Sequence, residues 1–237
     1  MQRVVAILES VAASPTPATA ARVSEDIELS LSTVSRIMRE LADERMLDRT
    51  DEGSYLLGAR MFRLVRRARE GGEPMAVVHR ALGELRDRTG ETASLNVRRG
   101  DNRVCIASAD SRQELRRVVP VGDAIPMVGT ATGDVLMADL PPAEQTALID
   151  RAGRGVGSRV DLLARLEQTA GRGWSVQSDG LVAGVTGVAV PVRAGNELVA
   201  ALTLSGPTTR LPEAAVGKLL PDLEDAAARI APWLGTG

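Results

Sequence analysis

Residues 29–58, LSLSTVSRIMRELADERMLDRTDEGSYLLG, decide the fold of the first part of the chain. Four apolar side chains in this stretch recur at helical spacing and predict a helix with one buried face: Val34, Ile37, Met38 and Leu41. Ser30 precedes them as a candidate N-cap. After the helix come two short extended runs, separated by an acidic turn with Gly53, which predict a β-hairpin. A hairpin directly after such a helix suggests a wing.

Two further helices are predicted upstream, over residues 3–12 and within ATAARVSEDI at 18–27. Three short helices and a hairpin in this order are typical of a winged helix-turn-helix, whose third helix enters the major groove of double-stranded DNA. The outer face of the third helix is small, polar and basic, so its backbone can approach base edges closely. The same architecture can also serve as a protein-interaction module, and that alternative stays open.

Six side chains are candidates for contact with operator DNA. Arg36 and Arg39 carry guanidinium forks that match guanine or phosphate acceptors, and hydroxyl groups donate single hydrogen bonds to phosphate oxygens. Arg49 in the hairpin is placed to reach the adjacent DNA backbone. The predicted set is Ser32, Thr33, Ser35, Arg36, Arg39 and Arg49.

The chain has 237 residues, which favours two domains, and its 44% hydrophobic and 25% charged residues are typical of a soluble globular protein. Its net charge of -2 argues against a broadly basic nucleic-acid coat but permits a local basic face. No run approaches the roughly 18 to 20 apolar residues that span a bilayer, and no signal peptide is recognisable, so we expect a cytoplasmic protein with no membrane partner. The single cysteine, Cys105, excludes an intrachain disulfide and a Cys-rich metal cluster, and no metal or cofactor is expected.

The remainder of the chain alternates between helical and extended patterns. Residues 60–70 have helical periodicity and end at two glycines and Pro74, which predicts a linker helix. Beyond it the patterns predict helices to about 88 and over 143–152, 160–171 and 212–234, and strands over 92–97, 104–108, 115–119, 174–177, 185–192 and 198–205. This order indicates an α+β arrangement with helices packed on a sheet. The predicted domains are a DNA-binding domain at 1–58, the linker helix at 59–72 and a mixed α/β domain at 73–237.

An enzyme is the rival class, and the sequence offers little for one. It contains one histidine and one cysteine, and none of the HExxH, GxSxG and P-loop motifs. His79 lies in an apolar helix and Cys105 lies in a strand. A surface histidine and a buried structural thiol are therefore a simpler interpretation of these two residues than a catalytic dyad. We therefore predict no catalytic residues and no enzyme activity.

Three ordered motifs resemble the IclR family of bacterial transcriptional regulators over nearly the whole chain. STVSRIMREL (32–41) and SYLLGARM (54–61) resemble its recognition helix and wing, VPVGDAIPMVGTATGDVLMADL (119–140) its first effector-domain motif, and GVTGVAVPVRAGNELVAALTLSGPTTRL (184–211) its second. The resemblance implies a winged helix joined by a helix to a GAF-like effector domain that binds a small molecule, and a homodimer or homotetramer. Repression is the commoner behaviour in that family, so the resemblance also implies a repressor.

The resemblance further implies an effector site in the C-terminal domain. Its residues would be Gly129, Thr130, Ala131, Gln177, Asp179, Gly187, Thr203 and Ser205. The residues themselves support an acid at part of this site, because GTATG (129–133) presents backbone N–H groups at a helix start, and Thr203 and Ser205 share one face of a strand. The expected effector is therefore an organic or aromatic acid. Two alternatives remain: these residues serve only turns and core packing, or the C-terminal domain only oligomerises or binds a partner protein.

Three residues depart from the family's pattern. Glu28 stands in the turn between the second and third helices, where the family usually has glycine, and bears on the angle of that turn. Gly187 stands where some members have a ligand-contacting cysteine, and Asp134 replaces a common lysine. The last two departures bear on which ligand the site accepts.

Overall fold

The computed structural model describes the backbone of residues 2–69, 72–153 and 157–234, with the side chains of those residues except 65–69, 72 and 73. The chain divides into two compact units, Met1–Gly71 and Gly72–Gly237. Each unit has an apolar core of its own.

The N-terminal unit contains three helices, a β-hairpin and a fourth helix. In chain order these are α1 (Gln2–Ala13), α2 (Ala20–Asp26), α3 (Leu31–Asp43), β1 (Leu47–Arg49), β2 (Tyr55–Leu57) and α4 (Ala59–Arg69). The predicted apolar stripe of α3 is confirmed, because Val34, Ile37 and Met38 are buried and Leu41 packs against them. β1 and β2 pair antiparallel around the predicted turn, where Gly53 has a φ of +82°. The structure therefore confirms a winged helix-turn-helix.

The turn between α2 and α3 has an unusual backbone. The Ser24 hydroxyl donates to the carbonyl oxygen of Leu29 at 2.5 Å, which closes the turn around Glu28. Glu28 has a φ of 53°, a left-handed conformation that glycine adopts without a steric penalty and that other residues rarely adopt. The turn therefore keeps a backbone that suits glycine, although a glutamate occupies it.

The C-terminal unit is an antiparallel sheet with helices on both faces. In chain order its elements are α5 (Gly72–Thr89), β3 (Thr92–Arg99), β4 (Asn102–Ala109), β5 (Ala124–Pro126), α6 (Ala131–Ala138), α7 (Pro142–Ala152), α8 (Arg159–Arg172), β6 (Ser175–Ser178), β7 (Val185–Ala194), β8 (Glu197–Pro207) and α9 (Val216–Ile230). Short 3₁₀ turns flank α9 at Glu213–Ala215 and Ala231–Trp233. The strands lie in the order β5-β4-β3-β8-β7-β6. This arrangement confirms the predicted α+β class.

The two faces of this sheet differ in chemistry. One face packs against α5 and α9 and forms the larger apolar core, to which the central strands contribute Leu95, Leu202 and Leu204. The other face forms a second core with α6, α7 and α8, to which the sheet supplies the buried side chains of Ala189 and Ala201 and the partly buried Leu198. Small and polar side chains cover the rest of that second face, so space remains between the sheet and the start of α6.

One of the predicted strands is wrong. Residues 115–119 form part of a loop between β4 and the short β5, and do not pair with the sheet. Side chains satisfy the carbonyl oxygens of this loop instead: the Thr92 hydroxyl donates to the Arg117 oxygen at 2.5 Å and Arg210 Nη2 to the Leu115 oxygen at 2.8 Å. The alternation of residue types resembled a strand, but these long-range side-chain contacts take the place of a ladder.

A β-bulge in β4 changes which side chains face α6. The pairing with β3 joins Leu95 to Ala107 and then Asn96 to Cys105, so Ile106 has no partner in β3. Because two residues of β4 then oppose one of β3, the alternation of side chains is offset between the two sides of the bulge. Ala107 therefore faces the larger core, whereas Cys105 and Arg103 face the same side as Asn96.

Candidate functional site

The outer face of α3 presents the predicted DNA-contacting residues. Ser32, Arg36 and Arg39 are exposed, and Thr33 and Ser35 are half-buried. Arg36 Nη1 lies 2.6 Å from Glu40 Oε1, one turn further along the helix. Arg39 Nε donates to the Ser35 carbonyl oxygen at 3.2 Å. Both guanidinium groups are thus held along the helix surface and remain open to solvent.

The ion pair between Arg36 and Glu40 does not prevent DNA binding. Both side chains are about three-fifths exposed, at 61% and 59%. Exposed pairs one helical turn apart are worth only about 0.3 to 0.5 kcal/mol, whereas a bidentate contact between arginine and a base is worth about 1 to 3 kcal/mol. A base or phosphate can therefore displace Glu40 at little cost.

The hairpin places Arg49 on the same unit as α3. Arg49 is exposed, and its guanidinium carbon lies 5.9 Å from the centre of the Tyr55 ring across the hairpin. A cation over an aromatic face at this distance is weakly held. The wing thus presents a positive charge that is oriented but free to contact a phosphate.

A cavity opens between the sheet and the start of α6. About 60 Å³ of it is open to water, which is room for roughly four to six water molecules. Seven of the eight predicted effector residues line it: Gly129, Thr130, Ala131, Gln177, Gly187, Thr203 and Ser205. Sequence reasoning missed other lining residues, among them Ser94, Arg103 and Arg117.

The start of α6 forms one wall of the cavity. The Thr130 hydroxyl caps the helix by accepting from the Gly133 N–H at 3.0 Å. A β-carbon on Gly133 would lie 1.8 Å from the Met127 carbonyl oxygen, so this close approach requires glycine. The first N–H groups of a helix have no acceptor within the helix, and among the described residues none accepts from Ala131 or Thr132. These two N–H groups are free to bind a ligand.

Hydroxyl groups of β8 form the opposite wall. The Thr203 hydroxyl lies 2.9 Å from that of Thr132 and is engaged by it. The Ser205 hydroxyl is buried, with a residue exposure of 7%, and has no hydrogen-bond partner in the described part of the chain. A buried polar group without a partner costs roughly 1 to 3 kcal/mol, so a ligand that bonds to Ser205 recovers this loss.

Asp179 does not line the cavity. Its φ is 57°, and Asp179 Oδ1 accepts from the Gly184 N–H at 2.5 Å, so its carboxylate stabilises its own loop. The neighbouring Gly180 packs against Gly129, whose carbonyl oxygen would lie 2.4 Å from an added β-carbon. The loop therefore closes over the start of α6, and Leu181 and Val182 follow at the rim of the cavity.

Asp134 lies behind the cavity wall. It is 2% exposed, Arg165 Nε lies 2.9 Å from Asp134 Oδ2, and Ser175 and Gln177 donate to the same oxygen at 2.8 and 3.1 Å. Burial raises the pKa of this carboxyl, against the lowering effect of Arg165. Because Gln177 lines the cavity, Asp134 acts on the site by fixing that amide.

Two arginines bring positive charge to the cavity. Arg103 is only 7% exposed, and Arg103 Nη1 donates to Asn96 Oδ1 at 2.7 Å, while Arg103 Nε has no partner in the described structure. Burial, with a smaller contribution from the nearby Arg117, lowers the pKa of Arg103 to about 10. Arg103 therefore stays protonated at neutral pH.

The geometry around Cys105 does not suit catalysis. The thiol is 1% exposed and donates to the Ala107 carbonyl oxygen at 3.3 Å. Burial raises the pKa of Cys105 to about 11, opposite to the lowering that activates a cysteine nucleophile. Within the described ranges, no cluster of acidic, histidine and cysteine side chains has the geometry of a metal site. None of the helices described here is both long and apolar enough to cross a membrane.

Comparison with known proteins places the chain in a family. The model of the IclR helix-turn-helix domain matches residues 1–51, and the model of the bacterial transcriptional regulator IclR C-terminal domain matches residues 73–232. The probable transcriptional regulator SauR of Cupriavidus necator is 29% identical over 93% of this chain and 91% of its own length. The HTH-type transcriptional repressor AllR of Salmonella typhimurium is 26% identical over 90% of this chain and 81% of its own.

A solved structure has the same fold over nearly the whole chain. The IclR homologue from Microbacterium hydrocarbonoxydans, crystallised with 4-hydroxybenzoate, matches with a TM-score of 0.80 and 24% identity, over 98% of this chain and 97% of that one. Both family models match in the order of the two units, and the second alone covers more than half of the residues. The chain therefore belongs to the IclR family of bacterial transcriptional regulators and binds DNA through its N-terminal helix-turn-helix domain.

Proposed function

We propose that this protein is a cytoplasmic repressor, without catalytic activity, that binds a pseudo-palindromic operator as a dimer and is controlled by a small acid. The observation that most supports an effector site is the pair of free N–H groups at the start of α6, together with the Ser205 hydroxyl, which has no partner among the described residues. Similarity to a repressor, AllR, supports the sign of regulation. An IclR homologue crystallised with 4-hydroxybenzoate supports an acid.

In the proposed mechanism, α3 of each subunit enters the major groove and the hairpin contacts the flanking phosphates. A ligand in the cavity then shifts the population between arrangements of the two DNA-binding units. The ligand changes DNA affinity only as far as it binds one arrangement more tightly than the other. The oligomeric state is directly measurable by light scattering, and a monomer at the concentrations that bind DNA would contradict this mechanism.

The DNA contact is tested with a duplex that the protein itself selects from random DNA. We expect Arg36→Ala to weaken binding by about 1 to 3 kcal/mol if Arg36 contacts a base, or to lower the salt dependence by about one unit if it contacts phosphate. Arg99→Ala, which removes an exposed arginine from the other unit, is the control. An Arg36→Ala protein with unchanged affinity and salt dependence would remove Arg36 from the interface.

The effector site is tested by thermal unfolding in the presence of small organic and aromatic acids. A ligand that binds only the folded state raises Tm in a saturable way. We expect Thr203→Val with Ser205→Ala to abolish that rise and the acid's effect on DNA binding together. If no acid changes Tm or DNA binding, the effector is not an acid, or the C-terminal unit only oligomerises or binds a protein.

A further inference from the structure

The charges around the cavity are unbalanced. Arg103 and Arg117 both line it, and neither guanidinium has a carboxylate within 4.0 Å among the described residues. Asp134, which lies behind the wall, is paired with Arg165. Asp110 and Asp123 lie near Cys105 but beyond ion-pair distance of either arginine. The lining therefore carries two positive charges without a counter-charge.

The burial of Arg103 is costly for a residue with only a structural role. A buried guanidinium usually has a carboxylate partner, because a desolvated charge without one is strongly destabilising. Arg103 has one neutral acceptor, Asn96, and an unpartnered Nε. Asn96 in turn donates to Ser94 Oγ at 3.1 Å, and Ser94 lines the cavity. These contacts hold the guanidinium at the cavity while leaving donors for an anion.

The loop that carries Arg117 is anchored at the cavity rim. The Thr92 hydroxyl binds the carbonyl oxygen of Arg117, and Arg210 binds that of Leu115. Arg210 is itself held by Glu91, with Arg210 Nε 2.6 Å from Glu91 Oε1. The backbone under Arg117 is thus positioned by long-range contacts, which keeps its charge beside that of Arg103.

The cavity lining also offers a second, uncharged set of anion donors. It comprises the N–H groups of Ala131 and Thr132 at the start of α6 and the unpartnered hydroxyl of Ser205. Helix N-termini favour negative charge. The lining therefore offers anion donors of two kinds, the charged guanidinium groups and these uncharged N–H and O–H groups.

We propose that the effector is an acid with two negative charges, one held by Arg103 and Arg117 and the other by the start of α6 and Ser205. This inference rests on the proposed effector site and adds the charge of the ligand. Two negative charges on the ligand match the two lining arginines, Arg103 and Arg117, that have no carboxylate partner among the described residues.

The test compares dicarboxylates and monocarboxylates of equal carbon number on the full-length protein. We expect succinate and malonate to raise Tm and to release DNA at concentrations at least about tenfold lower than butyrate and propionate do, because a charge-assisted bond to arginine is lost with the second carboxylate. Arg103→Gln should weaken succinate binding by roughly 10- to 100-fold. Arg116→Gln, which removes an exposed arginine from the same loop as Arg117, should leave succinate binding unchanged.

Three results would overturn this inference. Butyrate that binds within about threefold of succinate would show that the second charge is unused. Aromatic monocarboxylates that bind while the short dicarboxylates do not would also refute the second charge, and in either case the effector site itself would stand. If the Arg117→Gln protein binds succinate as tightly as wild type does, Arg117 does not hold the second carboxylate. This variant also provides a test of the proposal if the Arg103→Gln protein does not fold. By contrast, failure of every acid to change Tm would overturn the proposed effector site as well.

Discussion

Replacing Glu28 by glycine should stabilise the N-terminal unit. Glu28 has a φ of 53° in the turn between α2 and α3 and is exposed. A left-handed conformation costs a residue with a β-carbon about 1 to 2 kcal/mol, and glycine avoids this cost. Glycine also loses more backbone entropy on folding, which offsets roughly 0.5 to 1 kcal/mol of the gain. The expected net gain is therefore about 0.5 to 1 kcal/mol.

Thermal unfolding followed by circular dichroism measures this gain. For a unit of this size, 1 kcal/mol changes Tm by about 4 to 8 °C, so Glu28→Gly should raise the transition of the N-terminal unit by roughly 2 to 8 °C. The matched control is Glu25→Gly, which removes the same side chain three residues earlier, inside α2. Glycine in a helix costs about 0.5 to 1 kcal/mol, so this control should lower Tm.

Two outcomes would refute the argument. If Glu28→Gly lowers Tm as Glu25→Gly does, the left-handed backbone at residue 28 carries no strain. If Glu28→Gly raises Tm but abolishes operator binding, glutamate contributes to the orientation of α3 beyond its backbone conformation, and the turn does not behave as a glycine turn.

Three further predictions concern the DNA surface and the cavity. Glu40→Gln removes a carboxylate beside Arg36 at a cost below about 0.5 kcal/mol, and we expect DNA binding to become about two- to fivefold tighter at low salt in fluorescence anisotropy; weaker binding would contradict this. Gly187→Cys should leave Tm nearly unchanged yet weaken the acid response, because an added β-carbon meets nothing nearer than 3.8 Å and the thiol then occupies the cavity; an undiminished response would place the ligand elsewhere. Burial raises the pKa of Asp134, so its carboxyl binds a proton more tightly in the folded state than in the unfolded state. The contribution of Asp134 to the free energy of unfolding therefore falls as the pH rises above 3.8, the ordinary pKa of this carboxyl. In urea unfolding, the stability of the Asp134→Asn protein relative to wild type should therefore increase as the pH rises above this value. A stability difference that does not change with pH would contradict the raised pKa.

Local patterns were enough for the N-terminal unit and for part of the cavity. The apolar spacing of α3 predicts its buried face because a helix has a fixed period, and the turn at Gly53 predicts the hairpin because few residues adopt its backbone. Thr203 and Ser205 lie on one face of β8 as their alternation predicts. The resemblance to a family added most of the remaining cavity residues, and only Asp179 of that set lies outside the lining.

Tertiary structure alone decided where the positive charge of the cavity lies. If side chains alternated strictly along β4, Arg103 and Ala107 would share a face, and the guanidinium would lie in the larger apolar core. The bulge at Ile106 instead turns Arg103 towards the cavity. Arg117 lines the cavity because Thr92 and Arg210, distant in sequence, bind the carbonyl oxygens of its loop. The spacing of apolar residues along a helix is a local property of the sequence. A bulge, or a side chain bound to a distant carbonyl oxygen, depends on which segments meet in the fold. For this reason the sequence by itself determined the DNA-binding helix but not the charge of the ligand site.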